Sequence, residues 1–184
     1  MQNLKLLGIS GSLRKESYNT KLLHLAVEMF GPCDFTMGDI RLPLFDNDLQ
    51  QSEGIPPEVQ KLSDQIAEAD AVIIASPEYN QSLPGGLKNA LDWVSRTEGK
   101  PWLHKPVAIV NAAAGRTGGA RSNYSLRLAL APFNTRLLQG PEVLVALARK
   151  EFDDDGKLGN ERYLKVLKTL MADLRAEAER TQAM

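Results

Sequence analysis

Ser10-Gly11-Ser12-Leu13-Arg14-Lys15-Glu16-Ser17-Tyr18-Asn19-Thr20 is the stretch with the most chemistry in it. An apolar run at 4–9 leads into it, and a helical pattern starts near Ser17. A strand, a hydroxyl-rich loop and a helix N-terminus, in that order, make an anion site. Backbone N–H groups and the helix dipole face the same point. Ser10, Ser12, Ser17 and Thr20 add hydroxyl donors, and Arg14 adds a forked cation. A phosphate is the expected occupant.

Two other segments have complementary chemistry. Ser76-Pro77-Glu78-Tyr79-Asn80-Gln81-Ser82-Leu83-Pro84-Gly85-Gly86 offers an aromatic ring, a backbone fixed by prolines, and side-chain amides. That suits a flat heteroaromatic ring with a polar edge. Ala112-Ala113-Ala114-Gly115-Arg116-Thr117-Gly118-Gly119 is nearly stripped of side chains, so its backbone can approach a ring closely. A phosphate at one end and a planar ring at the other describe a flavin mononucleotide. The rival motifs fail on paper. Gly8 and Gly11 do not supply G-x-G-x-x-G, and a Walker A Gly-Lys-Ser/Thr is missing. Cys33 lies far from the phosphate loop, and Ser76-Pro77 stands where a receiver domain needs an aspartate. His24 and His104 lack metal-ligand company and read as surface residues.

These loops need strands to end where they begin. Residues 4–9 form an apolar strand broken only by Lys5. Leu22, Leu23, Ala26, Val27 and Phe30 predict a helix over 17–31, stopped by Gly31-Pro32. A second strand is expected over 34–40, a loop over 42–48, and a helix over 57–69 from Val59, Leu62 and Ile66. Residues 71–75 read as a strand covered on both faces. Leu87, Ala90, Leu91 and Val94 mark the next helix, with Pro84 at its start and Lys88 and Asp92 four apart on its outer face. Residues 106–112 form a fourth strand, 120–133 a helix and 143–148 a fifth strand. Tyr163, Leu167, Leu170, Met171 and Leu174 form a long terminal helix.

This alternation predicts one α/β domain over 1–184, a flavodoxin-like three-layer sandwich with a five-stranded parallel sheet. In the order 2-1-3-4-5, strands one, three and four are neighbours. The three loops would then meet in one crevice beyond the carboxyl ends of the strands.

The formal net charge of -1 gives no electrostatic case for nucleic acid or an anionic membrane. No apolar run approaches the ~20 residues of a membrane span. Met1-Gln2-Asn3-Leu4-Lys5 lacks a signal-peptide h-region, and a cytoplasmic protein is the expectation. The single cysteine, Cys33, forms neither an internal disulfide nor a CxxC pair, and a buried position is expected for it. Asp153-Asp154-Asp155 before Gly156 reads as a short acidic turn.

Gly11-Ser12-Leu13-Arg14 through Asn19, Pro77-Glu78-Tyr79-Asn80, and Pro84-Gly85-Gly86-Leu87-Lys88-Asn89-Ala90-Leu91-Asp92-Trp93 occur in that order. They resemble the NADPH-dependent FMN reductase family, in its bacterial quinone and chromate reductase branch, over nearly the whole chain. The resemblance implies FMN as cofactor and NADPH or NADH as co-substrate. It implies a quinone as acceptor, with chromate or azo compounds as further acceptors, and a homodimer or homotetramer. It puts Ser12, Arg14, Ser17 and Asn19 on the FMN phosphate, with Ser10, Leu13 and Tyr18 in the same loop. Pro77, Glu78, Tyr79 and Asn80 would line the ribityl chain and ring, and Ala112, Ala113 and Gly115 the pyrimidine edge. Family members often carry hydroxyl residues where this chain has Ala112-Ala113-Ala114, so contacts there fall to the backbone. Lys88 and Trp93 divide between helix surface and packing on one side and a site role on the other.

The expected activity is a two-electron ping-pong transfer from NAD(P)H through the flavin to an acceptor, with no acid or base side chain nominated. A flavodoxin-type electron carrier is the alternative. Such carriers are strongly acidic, whereas this chain balances 22 basic with 23 acidic residues. The helix over 120–133 is apolar beyond one face, with Leu126, Leu128, Ala129, Leu130 and Phe133, which is the pattern of an interface helix.

Overall fold

The computed structural model describes residues 3–153 and 155–182. Strands β1 (Lys5–Ser10), β3 (Ala71–Ala75) and β4 (Pro106–Ala112) are buried on both faces, apart from Lys5, as their unbroken apolar runs require. β2 (Asp34–Gly38) is an edge strand with exposed positions and ends two residues before the expected Ile40. All pairings are parallel, in the order β2-β1-β3-β4-β5, as anticipated.

The fifth strand departs from expectation. It is split into β5 (Arg136–Leu137) and β6 (Val143–Val145), and both pair with β4. β5 takes the start of β4 and β6 its end; Pro141 in between has no N–H to give a ladder. Ala148, expected in that strand, opens a short helix α6 (Ala148–Glu151).

Helices α1 (Tyr18–Phe30) and α7 (Glu161–Gln182) cover one face of the sheet. Helices α3 (Pro57–Glu68), α4 (Gly85–Val94) and α5 (Ala120–Leu130) cover the other. Ser17 caps α1 by accepting from Thr20 N–H, and Gly31 ends it at φ +89. α5 stops at Leu130 and gives way to a 3₁₀ turn at Ala131–Phe133, because Pro132 lacks the N–H that a continuing helix needs. A further helix, α2 (Asn47–Glu53), begins inside the expected 42–48 loop. Asp46 caps it, but it buries no side chain and so carries no apolar period.

Cys33 is half-buried at the rim of the α1–α7 core rather than inside it. Burial pushes its thiol pKa up, Arg175 opposes this and Asp34 adds to it. His24 and His104 are exposed. Asp153 closes the expected acidic turn by accepting from Gly156 N–H and Lys157 N–H; Asp154 lies outside the described residues. Among the described residues no helix is long and apolar enough to cross a membrane, and no cluster of His, Cys, Asp or Glu could hold a metal ion.

Candidate active site

The loops after β1, β3 and β4 meet, and specific hydrogen bonds join them. Gly11 N–H donates to the Ala75 carbonyl at 2.8 Å. The Ser12 and Tyr79 hydroxyls lie 3.4 Å apart. Asn19 donates to the Ala112 carbonyl at 2.8 Å and accepts from Ala112 N–H at 2.9 Å. A β-carbon on Gly11 would sit 3.2 Å from both Pro77 and Pro84, so only glycine passes beneath loop two without displacing it.

Loop one presents donors with nothing to bind. The N–H groups of Leu13, Lys15, Glu16, Tyr18 and Asn19 have no acceptor among the described residues, and they flank the start of a thirteen-residue helix. The Ser10 hydroxyl is bonded to Thr20 at 2.8 Å, and Ser12 and Ser17 are buried. Arg14 and Lys15 are exposed and enter no ion pair among the described residues. A cavity of about 290 Å³ beside the loop is lined by Ser10, Ser12, Arg14, Thr20, Asp39 and Arg41. Arg41, paired with Asp39 at 3.2 Å, donates to the Leu13 carbonyl at 3.3 Å, which brings a second guanidinium beside loop one. Its position after β2, not its sequence context, puts it there.

Several expected site residues have structural tasks. The amide of Asn19 ties α1 to the end of β4. The Tyr18 ring stacks on Phe152 at 5.3 Å. Glu78 turns its carboxylate to α5, accepting from Arg121 N–H at 3.0 Å. Tyr79 and Ser82 exchange two backbone hydrogen bonds of 3.1 Å around Asn80 and Gln81, at φ 49 and 66, which makes a type I′ turn. That turn projects the Tyr79 ring, 46% exposed.

In loop three, both backbone groups of Ala112 and Ala113 have partners: Asn19 for the first, Val145 and Ala148 for the second. The N–H groups of Ala114, Gly115, Arg116 and Thr117 have no acceptor among the described residues. The backbone groups of Ala112 and Ala113 are thus occupied within the fold. Trp93 is buried and donates to the Pro43 carbonyl at 2.7 Å, as does Asn89 at 2.9 Å. Lys88 pairs with Asp92 at 2.6 Å on the outer face of α4. The motif over 84–93 thus pins the 43–45 loop.

Sequence reasoning missed the polar groups behind loop two: Asn111, Ser122, Asn123 and Arg127. A buried asparagine inside the apolar run of β4, and two polar residues on the core-facing side of α5, were the available signals.

The donors of loop one and those of loop three, on loops tied together by Asn19 and Ala112, have the chemistry to fit FMN. The profile of the NADPH-dependent FMN reductase family matches residues 4–150. The chain belongs to that family. Among curated proteins it is 43% identical over 162 residues to the NAD(P)H-dependent FMN reductase PA1204 of Pseudomonas aeruginosa, covering 87% of each chain. It is 38% identical over 156 residues to a quinone reductase of Escherichia coli K12, covering 83% of this chain and 82% of that protein. Among solved structures, the flavoenzyme NAD(P)H:(acceptor) oxidoreductase FerB from Paracoccus denitrificans superposes with a TM-score of 0.85 at 30% identity, covering 96% of this chain and 98% of that one. This member of the FMN reductase family is therefore a flavin-dependent oxidoreductase with NAD(P)H as co-substrate.

Proposed function

We propose that this protein is an FMN-dependent NAD(P)H:quinone oxidoreductase. The observation that supports this is the pair of donor sets without acceptors among the described residues, at 13–19 and 114–117, on two loops that Asn19 and Ala112 tie together. FMN supplies the two-electron chemistry that couples oxidation of NAD(P)H to reduction of a quinone to its quinol, with one proton taken from solvent. The chain's own residues bind and tune. Arg14, Ser12, Ser17 and the free N–H groups of loop one hold the phosphate. Pro77, Tyr79 and Asn80 wall the ring. The N–H groups of loop three offer preoriented dipoles where negative charge grows during reduction. The E. coli relative, named a quinone reductase, supports a quinone as the acceptor. Chromate and azo compounds are further acceptors of an open site. We place the reaction in the cytoplasm and expect a homodimer or homotetramer.

The purified protein should be yellow and should oxidise NADPH or NADH in steady state only when a quinone is added, with quinol formed in equal amount. A yellow protein that turns over neither nucleotide would be a flavodoxin-type carrier and would end this assignment.

A further inference from the structure

Behind loop two, side chains from β4 and α5 seize two successive carbonyls. Ser122 donates its one hydroxyl proton to the Pro77 carbonyl at 2.8 Å. The Ser76 hydroxyl lies 2.8 Å from the Ser122 oxygen and also reaches the Pro77 carbonyl at 3.3 Å, so two coupled hydroxyls close on that carbonyl. The second arm starts at a cation. Arg127 donates to Asn123 at 2.7 Å, Asn123 to Asn111 at 2.8 Å, and Asn111 to the Ser76 carbonyl at 2.7 Å. Every donor in this arm points towards loop two. The same guanidinium holds the Leu138 and Gln139 carbonyls at 3.2 and 3.3 Å, in the segment between β5 and β6. Ser76, Asn111, Ser122 and Asn123 are all 0% exposed, so water does not compete.

We propose that Ser122 is a positioning residue that aims the Glu78 N–H at the flavin ring, with Asn111 fixing the preceding carbonyl. The inference rests on the FMN reading above. A peptide unit is planar and trans, so its carbonyl and its N–H point in opposite directions. The Pro77 carbonyl is drawn inward to Ser122, and the Glu78 N–H is thereby turned outward. That N–H has no acceptor among the described residues. The Glu78 carboxylate, fixed on Arg121 N–H, stops the residue from turning back. A buried polar chain is costly to desolvate, and apolar side chains would fill the same volume. What the chain supplies instead is a fixed direction for two carbonyls, and hence a donor in place before charge arrives.

The test is the midpoint potential of bound FMN in Ser122→Ala, measured with FMN affinity and turnover. The phosphate loop is untouched, so the dissociation constant of oxidised FMN should stay within about twofold. Losing the aimed donor weakens binding of the reduced form. Its affinity relative to the oxidised form should fall about tenfold, which a two-electron couple reads as a potential lower by about 30 mV. kcat should fall while the quinone KM holds. A folded Ser122→Ala with the potential and bound-flavin spectrum of the parent protein overturns the positioning role. If the parent protein itself takes up no FMN, it is the FMN reading that fails. Should Ser122→Ala not fold, Ser76→Ala decides by the same measurement. A lowered potential supports the proposal, and an unchanged one overturns it.

Discussion

Arg14, in the loop, and Asn19, in the first turn of α1, stand five positions apart and do opposite work. Arg14 is exposed and without an ion pair among the described residues, so its charge is available to a ligand. Asn19 is 3% exposed, and both ends of its amide are engaged with Ala112. Arg14→Ala should leave the melting temperature within about 1 °C, since it removes no packed or paired group. It should raise the FMN dissociation constant roughly ten- to a hundredfold, the range for a hydrogen bond to a charged group, and leave riboflavin binding unchanged. Retained FMN with lost turnover would refute the phosphate assignment. Asn19→Ala strands a buried N–H and a buried carbonyl. It should cost about 3 kcal/mol and lower Tm by roughly 6–12 °C in a thermal melt. A melt unchanged from the parent would mean that the clamp contributes nothing.

At the level of elements, loop three is shaped by two adjacent glycines rather than by its alanines. A β-carbon at Gly118, at φ +62, would collide with the Leu144 carbonyl, and one at Gly119, at φ +91, would lie 3.0 Å from Asn111. Gly115 has open space around its α-carbon. Gly118→Ala should therefore destabilise by about 2 kcal/mol or more, while Gly115→Ala should change stability by less than about 0.5 kcal/mol. Urea melts of the two variants check this, and equal midpoints would contradict it. On the far edge, α7 meets β5 through Glu177 and Arg136 at 3.1 Å. Burial pushes the Glu177 carboxyl up, but hydrogen bonds from Arg180 and Arg136 outweigh it and hold the pKa below the usual range. A depressed pKa stabilises the fold above the unfolded value and stops doing so as pH falls through the folded value. Glu177→Gln should lower Tm at pH 7 by about 3 °C, taking the pair as worth about 1 kcal/mol. The gap should begin to narrow as pH falls past the ordinary carboxylate value of about 4.3 and close once it falls through the depressed folded value. A gap that persists in acid would assign the effect to packing instead.

The same physics decides which elements were readable from sequence. β1, β3 and β4 are buried on both faces and read as apolar runs. The two-residue β5 and the wholly surface helix α2 leave no pattern to detect. The cluster of donors in loop one was readable because they are nearly consecutive in the chain. The task of Asn19 was not, because its partner Ala112 lies 93 positions away. The chain behind loop two was hidden for a related reason. Serine and asparagine are usually surface residues, and only the fold shows that these have partners inside.

For the whole molecule, α5 joins the site to the surface. Its inner side holds Leu126 and Leu130 in the core and Ser122 and Asn123 behind loop two. Its outer side leaves Tyr124 57% and Leu128 77% exposed, one turn apart. Burying two large apolar side chains removes more water-exposed area than a lone surface leucine could explain. A net charge of -1 sets up little repulsion between copies. We expect sedimentation at micromolar concentration to show a dimer or tetramer. Leu128→Asp, which puts a charge into the shared face, should move the distribution towards monomer. Its side chain touches neither phosphate loop nor ring wall, so Arg14-dependent FMN affinity should survive in the dissociated variant. A parent protein that sediments as a monomer would remove the interface. A dissociated variant that also loses FMN would instead show that the crevice needs a second copy to be complete.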